Sequence, residues 1–330
     1  MRVRPTREGK RFFLILVLII MAAFNTGNNL IYLIVSMMLS SMVLSLALSI
    51  TNLRALDLKL EPPASVFAQT ETWINYEIAN RKRRIPSYSV RMKSTALPEP
   101  HTVPFVPADG SSRGVLKTVF PHRGIANMGR TVIETSFPFI FFDVISSAET
   151  PVSFTVYPKL MDIGAARSQS AAEGAVPVLL PGDELREIRQ YRAGDSLRHI
   201  NWKATARHSR LMVRETASET GERISIVLDG TGPGAPEAFE KAVSAAASMA
   251  RQLLEDGYFV SLATASGKIE NGIGPGHLRR IFEHLSFVKE DASWNSGAPE
   301  AGGILVLKSP NSLLSARAAS FRAVIHADRI

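Results

Sequence analysis

The densest chemistry in this chain lies between Arg186 and Glu215, in REIRQYRAGDSLRHINWKATARHSRLMVRE. Eight Arg or Lys fall from Arg186 to Arg214; Glu187 and Asp195 interrupt them, and Asp183, Glu184 and Glu215 flank them. Three kinds of chemistry fit such a set. Asp195 and the arginines can form an ion-pair and hydrogen-bond knot that holds the segment to the following domain. Arg189, Arg192, Arg198, Lys203 and Arg207 can bind phosphate or nucleic acid. The segment can also be a catalytic site. Charges of mixed sign fit a knot or a protein-docking face better than a nucleic-acid face. His199 and His208 stand nine residues apart, which is not the i, i+4 spacing of a helical metal pair. A second candidate follows, where Asp229 ends an apolar run and Thr231 lies two residues on.

The elements that position these residues can be read from pattern. Tyr191-Arg-Ala-Gly-Asp195 reads as a turn, with Gly194 free to take positive φ. Asp195 or Ser196 then caps a helix expected to start near Leu197, which sets Arg198, Trp202 and Lys203 near one another. Leu211–Val213 reads as a short strand. Beyond it, Ile224–Asp229 is a buried-type strand and Phe239–Leu254 has the apolar spacing of a helix. Tyr258–Thr264, Gly303–Leu307 and Ala323–His326 read as further strands, and His277–Leu285 as a short helix. Strands alternating with helices predict a parallel α/β layer over 183–330. In such layers ligands bind at the C-terminal ends of strands, where Asp229 and Thr231 fall.

The front of the chain has a different character. Phe12–Phe24 carries no charge, Asn25-Thr-Gly-Asn-Asn29 is a polar turn cluster, and Leu30–Ile50 is a second uncharged run of 21 residues. The second run spans roughly 31 Å as a helix, against about 30 Å of bilayer hydrocarbon. A transmembrane helical hairpin over 1–53 is expected. The alternatives are a secretory signal or a buried hairpin; the second apolar run argues against the first, and apolarity on all faces against the other. Ser36, Ser40, Ser41, Ser45 and Ser49 fall in rows of four-residue spacing that let helices approach closely. Arg2, Arg4, Arg7, Lys10 and Arg11 precede the first run, Arg54 and Lys59 follow the second, and the turn between carries no charge. Positive flanks stay inside, so both termini are expected in the cytoplasm.

Residues 54–160 alternate in short β-like runs broken by Pro, Gly and Asn, which predicts a β-sandwich-like domain. Phe137-Pro138-Phe139 with Phe141-Phe142 reads as a core plug or an exposed docking edge. Arg81–Arg84 reads as a solvated hairpin tip or a contact with anionic lipid. Residues 161–182, rich in Ala, Gly and Ser, read as a linker. A net charge of +8 favours anionic partners, membrane lipid among them. The absence of cysteine excludes disulfides, thiolate catalysis and Cys-ligated metal centres. The chain also carries no Ser-His-Asp order, no HExxH and no phosphate-cradling Gly loop with Lys.

Two resemblances add to this reading. A strand, then Asp-x-Ser/Thr-x-Ser, then a long helix resembles the von Willebrand factor A domain, whose Asp and hydroxyls hold Mg²⁺. Here Asp229 and Thr231 match, Pro233 stands where the second hydroxyl would be, and Lys308 stands where another Asp is common. The resemblance implies at most a degenerate metal site. Tyr191, Gly194, Asp195, Arg198, Ile200, Trp202, Lys203, Ala206 and Arg207 resemble the signature of the bacterial domain-of-unknown-function 58 family. That resemblance implies an N-terminal membrane hairpin, a β-rich middle and a von Willebrand A-like end. It further implies a bacterial inner-membrane protein that partners a MoxR-type AAA+ ATPase in complex assembly or envelope stress, with no cofactor and no catalysis of its own. The expected docking or structural residues are Tyr191, Gly194, Asp195, Arg198, Trp202, Lys203 and Arg207. A metal-dependent hydrolase built on Asp229, and an anion- or nucleic-acid-binding module, are the alternatives.

Overall fold

A computed structural model describes residues 1–148, 152–162, 185–191, 200–216, 222–233, 235–290, 293–294 and 302–327. They fall into two compact units, Met1–Val156 and Tyr157–Ile330. The expected linker over 161–182 lies almost wholly outside the described residues, as do Gly194, Asp195 and Arg198.

The first unit opens with two helices long and apolar enough to cross a membrane, Arg7–Thr26 and Asn29–Leu53. The first is longer than its uncharged core. It takes in the basic stem and the start of the polar turn, which gives it 20 residues and a length of about 30 Å. Thr6 caps it by accepting from the Gly9 amide, and Gly27 ends it at φ 61°, a left-handed conformation that suits glycine. Asn28 then caps the second helix through the Leu30 amide. The N-T-G-N-N cluster is therefore a stop, a reversal and a start. Most apolar side chains of both helices are exposed. Ser45 and Ser49 of the serine rows are buried, while Ser36 and Ser40 are exposed. Ser49 donates to the carbonyls of Ser45 and Phe137, at 2.8 and 2.5 Å.

Strands fill the rest of this unit. Glu71–Asn80 alternates buried and exposed residues along its length and pairs antiparallel with Leu56–Glu61 and Gly110–Val119. A five-stranded sheet runs in the order Arg2–Pro5, Phe142–Ala148, Thr131–Thr135, Ser87–Lys93, His101–Val106. A third sheet joins Val66–Phe67, Ser153–Tyr157 and Gly124–Asn127. Leu60, Val66, Ile74, Met92, Leu116, Ile133 and Val156 come from all three sheets and share one core.

The first strand was not anticipated. Arg2–Pro5 pairs with Phe142–Ile145, so the segment before the first helix is stitched into the β-structure that follows the second. The basic flank before the hairpin and the β-rich segment after it therefore lie at the same end of the helices.

The second unit carries the expected α/β region. Phe259–Thr264, Arg223–Asp229, Ile304–Leu307 and Ala323–His326 lie parallel in that order. Helices Pro236–Glu255 and Pro275–Phe287 alternate with them. Around this parallel layer two elements escaped the sequence pattern. Gly267–Gly272 adds an antiparallel edge strand, and Leu313–Ser320 forms a 3₁₀ helix. The first is too polar and glycine-bounded to read as a strand, and the second too short to show a period.

Candidate functional site

The signature segment folds as a small ladder with a helix in its loop. Leu185–Gln190 pairs antiparallel with Met212–Thr216. The Tyr191 amide extends the pairing to the Leu211 carbonyl at 2.8 Å. The strand thus runs past Val213 and includes Arg214 and Glu215, which were expected only to flank it. The helix begins at Trp202 rather than near Leu197. Asn201 is extended there, and its side chain accepts from the Ala204 amide at 3.1 Å, which caps the helix later than Asp195 or Ser196 would. Ser209 ends the helix in a left-handed turn at φ 52°.

This short helix is tied down on one side. Ile200 is buried, the Asn201 amide donates to the Met212 carbonyl at 2.8 Å, and the Met212 amide donates to Thr205 Oγ1 at 3.0 Å. The opposite side is open. Trp202 is 68% exposed. Lys203, Ala206 and Arg207 are exposed beside it at the spacing of one helical face. A large indole thus stands exposed on a braced element, on the same short helix as Lys203 and Arg207. Tyr191 is half-buried at the base of the ladder. Gly194, Asp195 and Arg198 fall outside the described residues.

Asp229 lies where the topology puts it, at the C-terminal end of a central parallel strand. Its carboxylate is fully buried and engaged. Oδ1 accepts from the Thr231 amide at 2.9 Å and the Thr231 hydroxyl at 2.5 Å. Oδ2 accepts from the Leu314 amide at 2.7 Å. Thr231 Oγ1 in turn accepts from the Leu313 amide at 3.0 Å, and Ser312 Oγ donates to the Thr231 carbonyl at 2.9 Å. The first-turn amides of the 3₁₀ helix are thereby capped by Asp229 and Thr231, an anion at a helix start.

Lys308 completes this corner and was expected only to repel a cation. It is 1% exposed. Its ammonium donates to the Gly232 carbonyl at 3.0 Å and to the Glu290 carboxylate. A buried cation therefore sits against the loop after Asp229. Among the described residues no group of three His, Asp or Glu could hold a metal ion. Pro233, in place of a hydroxyl, leaves Thr231 as the one side-chain oxygen that the loop offers beside Asp229.

Sequence reasoning missed the first unit's own polar anchor. Lys82 was read with Arg81–Arg84 as a tip or a lipid contact. Its ammonium instead donates to the Thr51 and Asn52 carbonyls, at 3.0 and 2.8 Å, and to Ser87 Oγ at 2.6 Å. It caps the C-terminus of the second helix, where a cation is favoured. Burial pushes its pKa down to about 8. Asn52 binds the β-structure on the other side, through the Tyr88 backbone and Thr135 Oγ1. A lysine following a long apolar helix by some thirty residues was the available signal, and only the tertiary pairing reveals it.

Residues 187–303 match the model of the family described as protein of unknown function DUF58. This segment belongs to that family. The matched stretch takes in the Trp202 helix, the Asp229 strand and the helices between the parallel strands. Over 110 residues the chain is also 30% identical to the uncharacterized protein YeaD of Bacillus subtilis (strain 168). That similarity covers 32% of this chain and 27% of the length of the relative.

Proposed function

We propose that this chain is a membrane-anchored, cytoplasm-facing adaptor or assembly factor that presents the Trp202 helix to a protein partner. The partner proposed is a MoxR-type AAA+ ATPase, acting in complex assembly or envelope stress at the bacterial inner membrane. The observation that carries the reading is the pairing of an exposed Trp202 with a rigid support. Trp and Arg dominate binding energy at protein interfaces, and a pre-ordered anchor loses little entropy on docking. Lys203 and Arg207 favour an acidic partner face and would set the association rate more than the final affinity.

The rest of the molecule supports the same role. Two apolar helices hold the chain, and five basic residues before the first uncharged run against none in the turn favour a cytoplasmic location for both flanks. The parallel order of strands, and the sequence strand, Asp229, loop, helix, support a von Willebrand A-like reading of the α/β unit. Asp229 is then a capping residue, and no bound Mg²⁺ and no catalysis are part of the proposal.

A pull-down of the ATPase by the full chain in detergent tests it. Trp202→Ala should weaken capture by about 30-fold, as expected for an interface anchor worth about 2 kcal/mol. Arg207→Glu should slow association and make it less sensitive to salt. Undiminished capture by the Trp202→Ala, Arg207→Glu double variant, with the fold intact, would remove this surface from the account. Failure of the unmodified chain to capture any ATPase of this type would remove the partner.

A further inference from the structure

The loop from Ser136 to Phe142 is held in an unusual place. Its base is locked by charge. Ser136 Oγ donates to Asp143 at 2.6 Å, and Arg91 donates to both Ser136 and Asp143, at 2.6 and 3.1 Å. Its two sides are then clamped to the two helices. Ser49 of the second helix binds the Phe137 carbonyl. Thr6, the cap of the first helix, donates to the carbonyl of Ile140 through its hydroxyl and to that of Phe141 through its amide at 3.0 Å. Phe141 stacks on Phe12 with ring centroids 4.3 Å apart, and Phe139 on Phe141 at 5.9 Å. Gly9 lets the loop come this close, since a Cβ there would meet the Phe141 carbonyl oxygen at 2.0 Å.

The tip of this clamped loop is apolar and uncovered. Phe139 is 47% exposed and Ile140 59%. Ile140 takes φ 49°, a conformation that β-branched residues rarely adopt and that persists only where surroundings impose it. Height along the helices identifies what covers the tip. Phe12, the partner of Phe141, immediately precedes the exposed apolar run Phe13, Leu14, Ile15, and Lys10 and Arg11 immediately precede Phe12. On the second helix, Ser49 lies beside the exposed Leu48 and Ile50. Both helices therefore change from lipid-suited to water-suited surface at the level of the loop. Arg83 and Arg84 are exposed next to Lys82, which caps the second helix at that same end. Aromatic and aliphatic side chains at the same end of the helices as exposed cations are what the headgroup boundary of an anionic bilayer accommodates.

We propose that Phe139 and Ile140 insert into the headgroup–acyl boundary of the bilayer, so that the β-structure of the first unit is fixed against the membrane surface and not tethered beyond it. This rests on the membrane-anchored reading. The occupant is lipid, continuous with the lipid around the helices.

The chain contains no cysteine, so single labels can be placed cleanly. Nitroxides at Ile140→Cys, Phe139→Cys, Leu18→Cys and Val119→Cys would be compared in nanodiscs of phosphatidylethanolamine and phosphatidylglycerol. Leu18 is an exposed apolar residue in mid-helix. Val119 is exposed at the far end of the strand pair whose near end is Asn80 and Gly110, roughly 30 Å away along the strand. Collision with oxygen and with a water-soluble nickel chelate reports the depth of each label. The expected result is that labels at 139 and 140 collide with oxygen nearly as much as the Leu18 label and are shielded from nickel, while Val119 is open to nickel. Labels at 139 and 140 as nickel-accessible as Val119, with Leu18 shielded, would overturn the insertion and leave the anchor standing. A nickel-accessible Leu18 label would overturn the anchor and the insertion with it.

Discussion

Asp229→Ala separates a structural carboxylate from a metal-binding one. The substitution removes the acceptor of two backbone amides, Thr231 and Leu314, and of the Thr231 hydroxyl, all at a fully buried site. An orphaned buried donor costs about 1–3 kcal/mol. The two amides cannot turn to other acceptors while their backbone holds, so together they cost about 2–6 kcal/mol, and the hydroxyl raises the total to about 3–9 kcal/mol. Against a typical domain stability of about 5–15 kcal/mol, the α/β unit is then weakened or lost. Hydrogen exchange followed by mass spectrometry on the full chain in nanodiscs would read this locally. The peptide across Leu313–Ser320 should exchange at least about 30-fold faster in the variant. Mg²⁺ supplies the second arm. A site filled at 100 times its dissociation constant would add about 2.7 kcal/mol of protection, whereas a carboxylate engaged by three internal donors should give none. Unchanged exchange in Asp229→Ala, or Mg²⁺-dependent protection that vanishes with it, would refute the capping assignment.

Other outcomes follow from single contacts. Gly9→Ala places a methyl carbon within 2.0 Å of the Phe141 carbonyl oxygen and should destabilise the first unit by about 1–3 kcal/mol, read as a lower melting temperature in micelles. Lys82 has its pKa lowered from 10.5 to about 8, so above pH 8 the folded chain releases a proton that the unfolded chain still holds. Stability should therefore rise with pH across that window, and Lys82→Met should remove the slope in a denaturant titration. His284, half-buried beside Thr264 Oγ1 at 2.9 Å, has its pKa lowered below 6.5 by burial. Its neutral form stabilises the fold above pH 6.5, and that contribution should fade as the pH falls, with a flatter acid limb in His284→Gln.

What the sequence disclosed depended on the range of the interaction. The helical hairpin was legible because apolar runs, an uncharged turn and basic flanks are local, and the caps at Thr6, Gly27 and Asn28 only sharpen its ends. The strand Glu71–Asn80 was legible from alternation alone. Arg2–Pro5 was not, because its partner lies some 140 residues away and its arginines read as a membrane flank. Lys82 was hidden in a basic run for the same reason, since the carbonyls it caps belong to a helix that ended long before. At the candidate site, the types and spacing of Trp202, Lys203 and Arg207 were legible, while their exposure appears only in the structure. The helix start did not, because Asn201 and Ser196 are both competent caps and only the pairing of Asn201 with Met212 decides between them. Asp229 was placed correctly by topology. Its bond to the Leu314 amide was not foreseen, since the 3₁₀ helix that supplies that amide left no periodic trace.

On the proposed reading, a membrane-held chain grips a protein partner through the Trp202 face. A photo-crosslinking residue placed at position 202 in living cells tests it most directly, with the same probe at Val119 as the control. The expected product is an adduct between the chain and a MoxR-type ATPase, recovered in the membrane fraction from position 202 and absent from position 119. A probe at 202 that captures only water, or yields the same products as the probe at 119, would contradict it.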